Sequence, residues 1–152
     1  MAVPSKKKII SKWYNEQCHA LFPAIIKEIY PIFRKYGVPE PTLALREMTS
    51  RWGSCQPKRG IITLNKRLIE TPRNCIEYVV MHEFIHFRQP DHSKKFYDLL
   101  SALMPDWQAR KITLENGYTL RWYEQISWYK YTDSRIVALC WKMGKAPLDL
   151  GR

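Results

Sequence analysis

Three of the chain's four histidines fall in one stretch, YVVMHEFIHFRQPDHSKKF, at positions 78–96. His82 and His86 are four residues apart with Glu83 between them, and His92 follows six residues later. On a helix advancing 100° per residue, His82 and His86 lie one turn apart on one face, so both imidazoles can reach a single ion. Glu83 falls beside them without being a ligand, where a carboxylate can take a proton from a metal-activated water. A catalytic zinc has three protein ligands and one water, and His92 is the candidate third. The ion lowers the pKa of its water toward ~7. Glu83, as general base, then accepts the proton and passes it to the leaving group. The plainer alternatives are a helix with two solvated histidines and an exposed glutamate, and a His92 that only caps the next helix. His19 lies among core-like residues and reads as a non-ligand.

The elements that must position these residues follow from periodicity and from the breakers between them. Residues 10–36 repeat apolar side chains at three- and four-residue spacing, from Trp13 and Cys18 to Ile29 and Phe33, which predicts a helix. Pro23 and Pro31 are expected to kink or split it, and Gly37 to stop it. VPEPT (38–42) reads as a linker. LALREMTSRWGSC and KRGIITLN read as two strands joined by a loop. Thr71 as N-cap and Pro72 at the first helical position open the histidine helix. It should run to about Arg88, because Pro90 forbids continuing. Asp91 to Ser93 cap a helix that reaches about Met104, and Pro105-Asp106 opens another ending near Gly117. The segment from Tyr118 mixes strand-like and helix-like features, with a short final helix expected in RIVALCWKMG. Together these predict an α+β domain, a small antiparallel sheet packed on one side by the histidine helix.

Composition sets the frame. The 152 residues suit one domain, divided into a basic tail (1–9), a helical segment (10–37), a core with the histidines (38–117) and an aromatic-rich extension (118–152). Nothing approaches the ~18 consecutive apolar residues of a membrane span. The basic N-terminus lacks the apolar run and cleavage site of a signal peptide, so a cytoplasmic protein is expected. Cys18, Cys55, Cys75 and Cys140 are scattered with no C-x-x-C pair. Free thiols are therefore expected, and cysteine ligation has no spacing in its favour. The net charge of +11 describes either a solvated basic surface or a face for polyanions such as nucleotides or nucleic acid.

RWGSC (51–55), GIITLN (60–65), RLIETP (67–72), IEYVVMHEFIHF (76–87), DHSKKF (91–96) and MPDW (104–107) follow one another in an order and spacing that resemble the YgjP-like metal-dependent hydrolases. These are small zincins related to the SprT and WLM metallopeptidase-like groups. The resemblance covers about residues 10–117. It implies a zincin fold and one zinc ion bound by His82, His86 and His92, with Glu83 as general base. It also puts RWGSC at the border of the active-site cleft, which makes Arg51 and Asn65 candidates for substrate contact. For their neighbours the alternative is Trp52 packed in the core and Gly53 in a turn, while Cys55 reads as structural. Tyr123 and Arg51 are candidates for steadying an oxyanion. The extension after Gly117 follows no pattern of the family, and its aromatic residues either close over a core or stack nucleobases.

Three functions compete on this footing. The first is a zinc-dependent hydrolase of a peptide-type bond. The second, implied by activities assigned within the family, is a nucleoside triphosphate pyrophosphatase that holds phosphate through the metal and Arg51. The third is a non-catalytic, basic nucleic-acid-binding module with structural zinc. That module needs a closed four-ligand site, and only three good ligands are present.

Overall fold

The computed structural model describes residues 3 and 5–117. Tyr123, Cys140 and the expected final helix lie outside the described residues.

The first helix, α1 (Lys6–Arg34), begins four residues before its apolar pattern does, because Ser5 caps it by accepting from the Lys8 backbone N–H at 3.4 Å. It runs as one helix through Pro23 and Pro31, against the expected split. The carbonyls those prolines leave without a partner belong to His19 and Lys27, both on the exposed side of the helix, where water can satisfy them. The opposite face buries nine side chains from Ile10 to Phe33, which anchor the helix along its length. Gly37, at φ 79°, takes the left-handed turn that ends it, and the Val38 N–H reaches back to the Phe33 carbonyl.

The region expected as two strands forms three: β1 (Thr42–Arg46), β2 (Gly53–Gln56) and β3 (Ile61–Asn65). β3 is central, antiparallel to β2 as expected and parallel to β1, so the sheet is mixed. Residues 47–52 carry the chain from one edge of the sheet to the other, past the end of β3. Asn65 pins that crossing. Its buried amide donates to the Met48 and Arg51 carbonyls at 2.8 Å each, and its backbone N–H donates to the Trp52 carbonyl at 2.9 Å. The turn from β2 to β3 is a 3-10 turn closed by Gly60 at φ 66°.

Helix α2 (Arg73–Ile85) is the centre of the molecule and touches α1, β2, β3, α3 (Lys94–Leu103) and α4 (Trp107–Gly117). It begins one residue later than expected. The Thr71 hydroxyl donates to the Leu68 carbonyl at 2.8 Å, closing the preceding turn, and Pro72 stands at the cap position instead. It also ends at Ile85, three residues short of Arg88. The Phe87 and Arg88 N–H groups bond three residues back, so the chain tightens into a turn before Pro90. Phe84 stacks on Phe33 with centroids 4.8 Å apart. At the polar end of α2, Glu77 binds both Arg73 (3.0 Å) and Arg110 (2.9 Å), while Arg73 also pairs with Glu28. This network ties α1, α2 and α4 together. The result is an α+β fold with α2 laid against the sheet.

Candidate active site

His82 lies in the last turn of α2, and His86 is its C-cap with the backbone still right-handed (φ −61°, ψ −18°). The two therefore keep the one-turn spacing of a helix although the helix itself stops between them. The turn at Arg88–Pro90 then brings His92 back. Nε2 of His82 lies 3.3 Å from Nε2 of His86 and 3.0 Å from Nε2 of His92, and the ligand nitrogens of all three lie within 4.8 Å of one another. Nitrogens held at 2.0–2.1 Å by a tetrahedral zinc ion sit ~3.3 Å apart, so the donor set fits such an ion. The His86 Nδ1–H donates to the Gln89 carbonyl at 3.0 Å, which fixes the tautomer and leaves the Nε2 lone pair turned to its neighbours. Burial, with the other two histidines and Lys111 nearby, pushes the His82 imidazole down to about 3. Burial also lowers that of His86. Both rings are thus neutral at pH 7, the form that ligates metal.

Beneath the three imidazoles lies Phe96, fully buried, with its ring centroid 4.8–4.9 Å from each of theirs. It is an apolar platform that limits where the rings can turn. Sequence reading places Phe96 only on the apolar face of α3, because its contact with all three histidines is made in space.

Glu83 is buried beside the histidines, 5% exposed. Burial raises its carboxyl to about 8, and the charge of Arg51 pulls in the opposite direction. The sheet passes close here through Gly53. A Cβ at that position would meet Val79 Cγ1 at 3.0 Å and Glu83 Cγ and Oε1 at 3.1 Å. Gly53 is therefore the first residue of β2 at a close approach to α2, and not the turn residue of the alternative reading.

A cleft of about 520 Å³ opens over these groups. Its floor is α2 with Tyr78, Val79, His82 and Glu83. One wall is the segment from Arg51 to Cys55, with Pro57 beyond it, and the other is α4 with Lys111, Leu114 and Glu115. His82, His86, His92, Glu83 and Arg51 thus meet in one place. Asn65 does not line the cleft: it is 0% exposed, and its side chain holds the 47–52 crossing from below. Trp52 is half-buried, packing on the core while lining the cleft, and Cys55 also lines it. Tyr123 lies outside the described residues. Tyr78, missed in the sequence, is four residues before His82, a spacing that puts it on the same face.

Among solved structures, the crystal structure of the metallopeptidase zymogen of Methanocaldococcus jannaschii jannalysin is similar. Its TM-score is 0.53 at 20% identity, covering 63% of this chain and 95% of that one. A likeness at that identity concerns the fold. No curated protein matches the chain. The family described as YgjP-like, metallopeptidase domain, matches residues 2–117. By that match, which spans every element described above, the chain belongs to the YgjP-like metallopeptidase-domain family and is a metal-dependent hydrolase.

Proposed function

We propose that the protein is a zinc-dependent peptidase in which His82, His86 and His92 hold the metal and Glu83 is the general base. The observation that carries this is the convergence of three imidazole Nε2 atoms at the floor of an open cleft, with a buried carboxyl on the next residue of the same helix. A bound divalent ion supplies Lewis acidity toward water and carbonyl oxygen.

The chain's own groups do the rest. Glu83, in its ionised form, takes a proton from the attacking water and gives it to the departing amine. β2 is an edge strand in the three-stranded sheet and borders the cleft, so its backbone can pair with an extended peptide and hold it above Glu83. Neutral His82 and His86 are ready as ligands without losing a proton. The free thiols of Cys18, Cys55 and Cys75 suit a reducing, cytoplasmic setting, and no helix among the described residues is long and apolar enough to cross a membrane.

A second reading, hydrolysis of nucleoside triphosphates, is favoured by Arg51 and Lys111 on opposite walls of the cleft. The test of both is one assay panel of peptides and nucleoside triphosphates, comparing wild type with Glu83→Gln. The expected result is peptide cleavage by wild type and a loss of 10²–10⁴-fold in the variant, with the metal content equal. Peptide cleavage that survives in Glu83→Gln contradicts the role of Glu83. Phosphate or pyrophosphate release, lost in the variant and without peptide cleavage, moves the assignment to nucleotides.

A further inference from the structure

We propose that Tyr78 is a catalytic residue whose hydroxyl donates a hydrogen bond to the oxygen of the scissile carbonyl as that oxygen gains negative charge. The proposal rests on the peptidase reading above.

Tyr78 is 7% exposed and lines the cleft floor one helical turn before His82. Its ring meets the His82 ring edge-on, with centroids 6.0 Å apart and planes at 72°. Buried tyrosines normally bond their hydroxyl to a protein partner. Tyr14, also buried, donates to Glu70, and Tyr30 donates to the Val38 carbonyl at 3.1 Å. The Tyr78 hydroxyl has no such partner among the described residues. Nor is it sealed in the interior: it is not among the enclosed, unpartnered side-chain polar atoms of the described residues. A ring that is 7% exposed at the cleft floor, with a donor left over, is a dipole fixed in advance of any substrate. A preorganised donor of that kind stabilises charge that develops in the transition state.

The other donors of the cleft are placed differently. Arg51 is an exposed side chain on the crossing loop, and Lys111 pairs with Glu115 at 3.9 Å on α4. Both are long side chains that must be ordered when substrate binds, whereas the ring of Tyr78 is already ordered.

In the addition step, the water oxygen bonds to the carbonyl carbon, the π pair moves onto the carbonyl oxygen, and the water proton goes to Glu83. Tyr78 keeps its own proton throughout; only its hydrogen bond to that oxygen shortens. On collapse the pair re-forms the C=O bond, the C–N bond breaks, and the amine leaves with the proton from Glu83.

The experiment is Tyr78→Phe in the metal-loaded enzyme, read in two ways. The first is steady-state kinetics on a peptide that wild type cleaves and Glu83→Gln does not. The expected result is a drop in kcat of about 10²-fold, with KM, metal content and melting temperature little changed. The second is calorimetric binding of a phosphinic peptide, whose tetrahedral anionic centre resembles the addition product. Its affinity should fall in Tyr78→Phe by a similar factor. The affinity of the matching substrate peptide, measured in the Glu83→Gln background, should not.

Retained kcat, or equal losses for the phosphinic and substrate peptides, overturns the role of Tyr78 and leaves the role of Glu83 standing. A wild type that neither cleaves peptides nor binds the phosphinic peptide overturns the peptidase reading and this proposal with it.

Discussion

At the scale of single residues, the site is governed by how little water reaches its ionisable groups. Glu83 illustrates the consequence. Its carboxyl stands at about 8 in the folded metal-free protein, against an ordinary value of 4.5. The folded state therefore binds this proton more tightly than the unfolded chain does. The stability it confers is complete below about pH 4.5 and is lost as pH rises through about 8. Metal-free Glu83→Gln has no such loss. In paired urea titrations it should be more stable than metal-free wild type at pH 8, with the gap closing toward pH 4. A constant gap across that range contradicts the buried, protonated carboxyl.

Phe96 gives a second residue-scale prediction. Removing its ring in Phe96→Ala takes the platform from under all three imidazoles at once. Metal affinity, measured by chelator competition, should fall ~10–100-fold, the range found when groups that orient ligands are lost. Folding stability should fall by ~3–5 kcal/mol from the cavity. Unchanged affinity for metal contradicts a positioning role.

At the scale of elements, the site depends on two segments held by non-local contacts. The histidine pair was legible in the sequence because a spacing of four is read directly on a helix, and the breaker at Pro90 announced the turn that returns His92. The split of residues 43–55 into β1 and β2 was not. Its cause is the Asn65 side chain, which bonds two carbonyls 17 and 14 residues earlier, and periodicity cannot show such a clamp. The unbroken α1 was misjudged for a related reason. The proline rule is local, while the nine buried side chains that hold the helix are a property of its packing. Thr71 misled because its hydroxyl had a closer carbonyl to serve than the helix it precedes.

The clamp has a testable effect. Asn65→Ala removes both bonds to the crossing loop and the bond its Oδ1 accepts from the Arg67 N–H at 3.1 Å. At ~1 kcal/mol each, the loss should be ~3 kcal/mol in a denaturant titration. Because the loop carries Arg51, KM should also rise while metal stays bound. An unchanged KM contradicts the view that this loop forms the substrate-facing wall.

At the scale of the whole molecule, the four helices and three-stranded sheet of the described residues place α2 at the centre with one end open to the cleft. The Glu28–Arg73–Glu77–Arg110 network keeps α1 and α4 in register with it. A net charge of +11 favours the approach of anionic substrates, an attraction that salt screens. For a peptide with acidic flanks, kcat/KM should fall as ionic strength rises from about 0.01 to about 0.15 M, where the Debye length shrinks from ~30 to ~8 Å. A neutral analogue should show little change. Equal salt dependence for both peptides contradicts a role for the basic surface in substrate capture.

We expect three histidines, and nothing else from the chain, to hold one zinc ion, with a position left for the reacting groups. X-ray absorption at the zinc edge of the purified protein is the test. The expected result is one zinc per chain with nitrogen and oxygen neighbours at ~2.0–2.1 Å and no sulfur. A sulfur shell at ~2.3 Å, or full zinc occupancy persisting in His92→Ala, contradicts it.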